Sequence, residues 1–152
     1  CLVPEKRQEL TTEGGLDVAG QREILMPFVE GLESEGIRVS LFIDPEPAQI
    51  QASAVVGASA VELHTGTYAE AEGSESADRE RDRLSVATDL GLSLGLRVNA
   101  GHGLHYSNVQ PIAAMKGISE LNIGHAIIAR AVFSGLADAV REMCGLMDAA
   151  GG

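Results

Sequence analysis

The chain has 152 residues, of which 45% are hydrophobic and only 3% aromatic, with no tryptophan. This composition predicts one globular domain with an aliphatic core and excludes a disordered chain. The formal net charge of −11 argues against nucleic acid or an anionic membrane as the main partner. No apolar run approaches the roughly 18 residues that span a bilayer. The two cysteines, Cys1 and Cys144, are far apart, which favours a reducing compartment.

Residues 1–4 have the apolar character of the end of a buried strand. A true N-terminus rarely begins inside a core strand, so we expect further sequence upstream. A helix follows, on which Ile24, Phe28 and Leu32 are spaced at i, i+4 and i+8. Pro27 lies inside this pattern and lacks a backbone N–H, so we expect it to delay the helix start or to kink the helix.

Strand-like and helix-like runs then alternate to the end of the chain. The predicted strands are 38–43, 60–64, 96–100 and 120–123. The predicted helices are 47–56, one that ends at Gly95, a short one over 108–115 and a long one over 125–147. On the second of these helices, Leu84, Ala87 and Leu94 share a face. Such alternation is typical of parallel strands joined by crossover helices.

Polar residues occupy one side of the predicted strands. They are Ser40, Glu62, His64, Arg97, Asn99, Glu120 and Asn122, and the alternate positions are mostly apolar. An open sheet between two helix layers is apolar on both sides, whereas a partly polar inside is typical of an α/β TIM (β/α)₈ barrel. A full barrel needs about 250 residues. We therefore predict that residues 1–152 form the C-terminal part of a single barrel domain, roughly its last five strands. The N-terminal strands are expected to be absent from this chain.

Two glycine-containing segments, 99–103 and 122–125, lie where predicted strands end. The loops after the last two strands of a barrel commonly bind phosphate. Gly103 permits close approach of the backbone to a ligand, and Gly124 and His125 lead into a helix start, which attracts anions. We therefore predict a phosphate site here. The alternative is that the glycines only form tight turns.

Ionisable side chains at the same strand ends are candidates for proton transfer. His102 lies between two glycines and suits a general acid or base, the alternative being a histidine that only binds loop backbone. Glu62 shares a strand face with His64 and fits either stabilisation of a developing cation or an internal salt bridge. His102 and His105 lack the carboxylate or cysteine that would complete a metal site, so we expect no metal. Thr11 is a candidate ligand through its hydroxyl group.

One set of motifs covers almost the whole chain in a fixed order. It comprises 2–9, 39–44, 62–66, Thr11-Thr12-Glu13-Gly14-Gly15-Leu16-Asp17, Val98-Asn99-Ala100-Gly101-His102-Gly103-Leu104 and Glu120-Leu121-Asn122-Ile123-Gly124-His125-Ala126-Ile127. The set resembles the motifs of the pyridoxine 5′-phosphate synthase family. The resemblance implies a cytoplasmic TIM barrel that assembles as a homooctamer and acts in vitamin B6 biosynthesis.

By this resemblance the chain belongs to a transferase-type, ring-forming synthase. Such enzymes condense 3-amino-2-oxopropyl phosphate with 1-deoxy-D-xylulose 5-phosphate to give pyridoxine 5′-phosphate, phosphate and water. They need no metal or organic cofactor. The resemblance also implies catalytic roles, with His102 as the proton donor and Glu62 as the group that stabilises the transition state. It implies two sets of substrate contacts as well. Thr11 contacts the deoxyxylulose phosphate, and the amino-ketone phosphate is held by Gly103, Gly124 and His125.

Two other functions remain open at this point. One is a different sugar-phosphate barrel enzyme, which would normally carry a Schiff-base lysine or a carboxylate base at a strand end; the strand ends here carry no lysine. The other is a non-catalytic fragment that binds phosphate or other chains. The resemblance places a further catalytic His and Glu on the first three strands, so we expect this chain alone to be inactive.

Overall fold

The structure, a computed structural model, describes residues 1–4 and 14–151. These residues form an α/β fold around a parallel sheet with the strand order β1-β2-β3-β4. The strands are β1 (Ser40–Ile43), β2 (Ala60–His64), β3 (Arg97–Gly101) and β4 (Ile118–Asn122). Leu2 forms a parallel bridge with Leu41 on the free side of β1, where its N–H donates to the Ser40 carbonyl at 2.8 Å. The predicted strand end at the chain start therefore pairs with β1.

Helices connect the strands and cover one face of the sheet. They are α1 (Arg22–Ser34), α2 (Pro47–Val55), α3 (Gly66–Ala69), α4 (Ser74–Ser93), α5 (Val109–Ala113), α6 (His125–Ser134) and α7 (Leu136–Gly151). Ile50 of α2 and Leu84 of α4 are buried in the same cluster as Leu41, Val61 and Val98 of the sheet. The core is therefore aliphatic, as the composition predicts. Within the described ranges, every helix is too short or too polar to cross a bilayer.

The predicted single helix over 125–147 is wrong, because the structure contains two helices there. Gly135 separates α6 from α7 and has a φ of 82°. This left-handed conformation is accessible to glycine without steric cost, and it ends a helix. The two helices then pack together, and Arg130 Nε donates to Glu142 Oε2 at 2.9 Å.

The predicted helix is present as α1, but only part of its apolar pattern faces the core. Ile24 and Phe28 are 71% and 54% exposed, whereas Val29 is fully buried and Leu25 and Leu32 pack against the core. Ile24 and Phe28 form one apolar stripe of the helix, and Leu25, Val29 and Leu32 form another. Periodicity alone therefore does not decide which stripe faces the sheet.

Two smaller predictions about helices also differ from the structure. Of the two effects expected of Pro27, a delayed helix start is wrong, because α1 begins five residues earlier at Arg22. Leu94 does not share the buried face of Leu84 and Ala87; it follows the last residue of α4 and is 41% exposed. A residue beyond the last helical turn need not continue the direction of the helix stripe.

The strand register aligns predicted polar side chains with Phe42 across the other face of the sheet. Phe42, Glu62 and Asn99 form one row. Between the pairs Val98–Ile118 and Ala100–Leu121, β4 contains one more residue than β3. This irregularity is a β-bulge, which changes how the following residues are aligned.

Candidate active site

A cavity of about 480 Å³ lies at the carboxyl ends of the strands. Its lining includes Glu62, His102, Gly103, Gly124 and His125, which are the predicted site residues within the described ranges. Parallel strands all end at one edge of the sheet, so residues that are distant in sequence meet there. Thr11 lies outside the described residues. The structure therefore brings five of the six candidate residues around one cavity.

Glu62 enters the cavity from β2 and is held by neighbours on other strands. Its Oε2 accepts a hydrogen bond from Asn122 Nδ2 at 2.8 Å and a longer one from Cys1 Sγ at 3.6 Å. Gly101 gives the carboxylate space, because a Cβ at that position would collide with Glu62 Oε1. Burial raises the pKa of Glu62 above its ordinary value, while the Asn122 hydrogen bond opposes the rise. This environment favours the neutral acid more than water does.

His102 follows β3 in an uncommon backbone conformation with a φ of 81°. The Thr65 hydroxyl lies 2.8 Å from the Gly101 carbonyl oxygen and 2.6 Å from that of His102. This contact fixes the backbone on which the imidazole is carried. Burial lowers the pKa of His102, and the neighbouring His64 lowers it further. The imidazole is therefore mostly neutral near neutral pH and becomes a stronger acid when it is protonated.

Two glycine positions allow the backbone to line the cavity. Gly103 has a φ of 79°, and a Cβ there would lie 2.6 Å from the Ala69 Cβ. Gly124 precedes α6, whose first residue is His125. The first N–H groups of a helix have no partner within the helix and carry the positive end of its dipole. Both glycine segments line the cavity, and the first residues of α6 lie beside it.

The loop after β3 is braced by hydrogen bonds. Asn108 Nδ2 donates to the Gly103 carbonyl at 3.2 Å, and the Tyr68 hydroxyl donates to the Asn108 carbonyl at 2.8 Å. His105, which had no predicted role, lines the same cavity and lies 3.0 Å from the Ser107 hydroxyl.

Across residues 1–4 and 14–151, no three His, Cys, Asp or Glu side chains are grouped to hold a metal ion.

Sequence reasoning missed the partner of His64. His64 is buried, and its Nδ1 lies 3.1 Å from Asp44 Oδ1 in the loop after β1. Its ring is next to that of His102, with centroids 4.9 Å apart. The signal was present, because Asp44 directly follows a strand at the edge where the candidate site lies.

The model of one known protein family matches nearly the whole chain. Residues 1–149 match the model described as pyridoxal phosphate biosynthesis protein PdxJ. The match contains all four strands and the loops that line the cavity. It therefore covers the whole candidate site rather than a single motif.

Proposed function

We propose that the chain, which belongs to the PdxJ family of pyridoxal phosphate biosynthesis proteins, is part of a pyridoxine 5′-phosphate synthase. The reaction would join 3-amino-2-oxopropyl phosphate to 1-deoxy-D-xylulose 5-phosphate and release phosphate and water. The observation that carries the proposal is the meeting of Glu62, His102 and two glycine segments at one cavity. These groups supply an acid, a base and an anion site, which are what such a condensation requires.

His102 is the proposed proton donor. Both water and phosphate leave more easily when a proton is delivered to the departing oxygen. A mostly neutral imidazole first takes a proton from the substrate and then returns it. Since burial and His64 lower its pKa, the imidazolium that forms releases this proton readily. One residue would thus serve both directions of transfer.

Glu62 is the proposed stabiliser of the transition state. Joining an amine to a ketone develops positive charge on nitrogen, and a carboxylate nearby stabilises that charge. The hydrogen bond from Asn122 fixes the carboxylate before substrate arrives. Its partial burial makes the interaction with a cation stronger than it would be in water, because water screens charge less effectively there.

Phosphate binding is assigned to Gly103, Gly124 and His125. The formal net charge of −11 opposes an anionic substrate at long range. Local N–H groups at the start of α6 and at the glycine turn would offset this repulsion at short range. Thr11 is proposed to contact the deoxyxylulose phosphate.

The proposed architecture is a TIM barrel of which residues 1–152 are the C-terminal part. Parallel order, helices on the apolar face and polar side chains on the other face support this. The remaining strands would precede Leu2 and close the sheet. We further propose a cytoplasmic homooctamer without metal or organic cofactor, by resemblance to the family.

The test is an assay of the protein expressed from the complete reading frame. Purified protein is mixed with both phosphorylated substrates, and pyridoxine 5′-phosphate and released phosphate are measured together. Ser85→Ala, on the exposed side of α4, controls for the preparation. Equal yields of both products support the proposal. Conversion of a different sugar phosphate, or phosphate binding without any product, would contradict it.

A further inference from the structure

A partly buried hydrogen bond between His64 and Asp44 lies beside the cavity and is not used by the proposed mechanism. His64 is only 9% exposed, and its Nδ1 faces Asp44 Oδ1 at 3.1 Å. The same carboxylate oxygen accepts the backbone N–H of Gly15 at 3.2 Å. Asp44 is therefore oriented by the backbone, and His64 is oriented by Asp44.

The contact determines which nitrogen of His64 carries the proton. Because the carboxylate accepts, Nδ1 must donate, and in the neutral ring Nε2 is left as an acceptor. This Nε2 is buried and has no hydrogen-bond partner among the described residues. A buried polar atom without a partner is unfavourable, so its position is more readily explained by function than by stability.

The His64 ring packs against the ring of His102. The two ring centroids are 4.9 Å apart with the planes at 62°, and Phe42 packs against both rings. Gly66 closes the space: a Cβ there would lie 2.5 Å from His64 Nε2 and 3.3 Å from His102 Cδ2. Both imidazoles therefore have little freedom to rotate.

We propose that Asp44 and His64 form a positioning pair that holds the His102 imidazole in the orientation needed for proton transfer. Asp44 fixes the tautomer and the plane of His64, and His64 supports one side of His102. The inference rests on the proposed function, since it requires His102 to transfer the proton. Asp44 and His64 do not themselves touch the reacting atoms in this arrangement.

Charge gives the pair a second effect on His102. The groups whose charge acts on His102 are the carboxylates of Glu62 and Glu70 and, when its second nitrogen is also protonated, His64. Burial and His64 lower the pKa of His102, and the two carboxylates raise it. His105 and His125 line the same cavity, and Asp44 faces the far side of His64. Removing His64 should therefore raise the pKa of His102.

The experiment uses the protein from the complete reading frame, with Asp44→Asn and His64→Gln as variants. Asn keeps the shape of Asp44 but removes the charge that selects the tautomer. We expect each variant to lower kcat about tenfold or more, a part of the roughly 10²–10⁴-fold that general acid–base catalysis contributes. KM should change less than kcat. Asp89→Asn, on the exposed side of α4, is the matched control for loss of a carboxylate.

Imidazole NMR supplies a readout that does not depend on turnover. In the wild type, the His64 resonances should show the Nδ1–H tautomer, and Asp44→Asn should change that signature. In His64→Gln, the titration of His102 should move to higher pH. Both results support the positioning pair even if no pyridoxine 5′-phosphate is formed, in which case only the proposed function fails. An unchanged tautomer together with an unchanged His102 titration would overturn the pair, whatever the activity.

Discussion

His102 has a positive φ of 81°, which only a few non-glycine residues adopt. Strained backbone of this kind costs about 1–3 kcal/mol and is concentrated at functional sites. Two contacts retain it here, the Thr65 hydroxyl on the backbone and His64 on the ring. The strained backbone conformation is therefore associated with the position of the imidazole and not only with a turn of the chain.

Replacing His102 by Asn should test its role in proton transfer. Asn tolerates positive φ better than most residues, so the backbone should remain in place. Turnover is expected to fall by roughly 10²–10⁴-fold with a much smaller change in KM. Steady-state kinetics of the complete protein measures both, and His105→Asn serves as the comparison within the same loop. A raised KM with intact turnover would instead make His102 a binding residue.

Replacing Glu62 by Gln should change how stability depends on pH. The folded-state pKa of Glu62 is raised by burial, so its contribution to stability is full below the ordinary value of about 4.3 and is lost as pH rises through the folded value. Gln is neutral and keeps an oxygen that accepts from Asn122. The variant should therefore be at least as stable as the wild type at neutral pH.

Chemical denaturation of the complete protein at several pH values measures this difference. Glu30→Gln, on an exposed position of α1, controls for the loss of any surface carboxylate. Equal pH dependence in the wild type and in Glu62→Gln would show that burial of the carboxylate has no energetic consequence.

At the level of residues, sequence reasoning found those candidates that follow strands in conspicuous motifs. Glu62, His102 and His125 were located because strand ends of an α/β fold share one edge. The contact between Asp44 and His64 was not found. It depends on how closely the loop after β1 approaches the end of β2, and the position of Asp44 at a strand end indicates only that both residues lie at one edge of the sheet.

At the level of elements, Gly135 and Gly31 offer opposite predictions for the same substitution. Gly135 has a φ of 82° with open space at its Cβ position, so Gly135→Ala should destabilise the fold through backbone strain alone, by about 1–2 kcal/mol. Gly31 lies inside α1, also with open space, so Gly31→Ala should stabilise by about 0.5–1 kcal/mol. Free energies of unfolding of the complete protein would decide. Effects of the same sign would refute the conformational explanation.

The strands were predicted better than the helices. The strand 60–64 has the predicted bounds, because alternating polar and apolar residues constrain a strand strongly. Arg97 and Glu120, which are predicted to lie on the same polar side of neighbouring strands, form an ion pair at 3.9 Å between side-chain N and O atoms, although both are about half exposed. The break at Gly135 and the orientation of α1 were not predicted, since an apolar sequence on both sides of a glycine is compatible with one helix or two.

At the level of the whole molecule, a large apolar surface remains uncovered on α6 and α7. Phe133 is 89% exposed, Val132 77%, Ile128 60% and Leu136 57%. Apolar patches of this kind mark contact surfaces or lead to aggregation. In addition, β4 is the last strand of the described sheet, and an unpaired strand edge favours association with another copy.

We therefore predict that residues 1–152 expressed alone self-associate, unfold without a sharp transition and form no product. Analytical ultracentrifugation, thermal unfolding and the synthase assay test the three parts separately. Phe133→Lys should reduce self-association if the apolar surface is its cause, and should leave it unchanged if the strand edge is. A monodisperse monomer with a cooperative transition would refute the first two parts, and product formation would refute the third.

The extra residue in β4 has a consequence for how this protein can vary. Ile118 and Leu121 are three positions apart, yet both pack against the core, where a regular strand would require an even spacing. Because of the extra residue, the residues after it lie on the opposite face from the one that regular alternation would give them. Asn122 therefore reaches Glu62. If β4 alternated regularly over its present length, Asn122 would lie on the same face as Ile118, towards the helices. Loss of one residue at 119 or 120 should be tolerated, because it restores regular pairing with β3 and leaves Asn122 opposite Gly101, whereas gain of one residue there should turn Asn122 away from Glu62. The site therefore depends on the number of residues in this short segment as well as on their side chains.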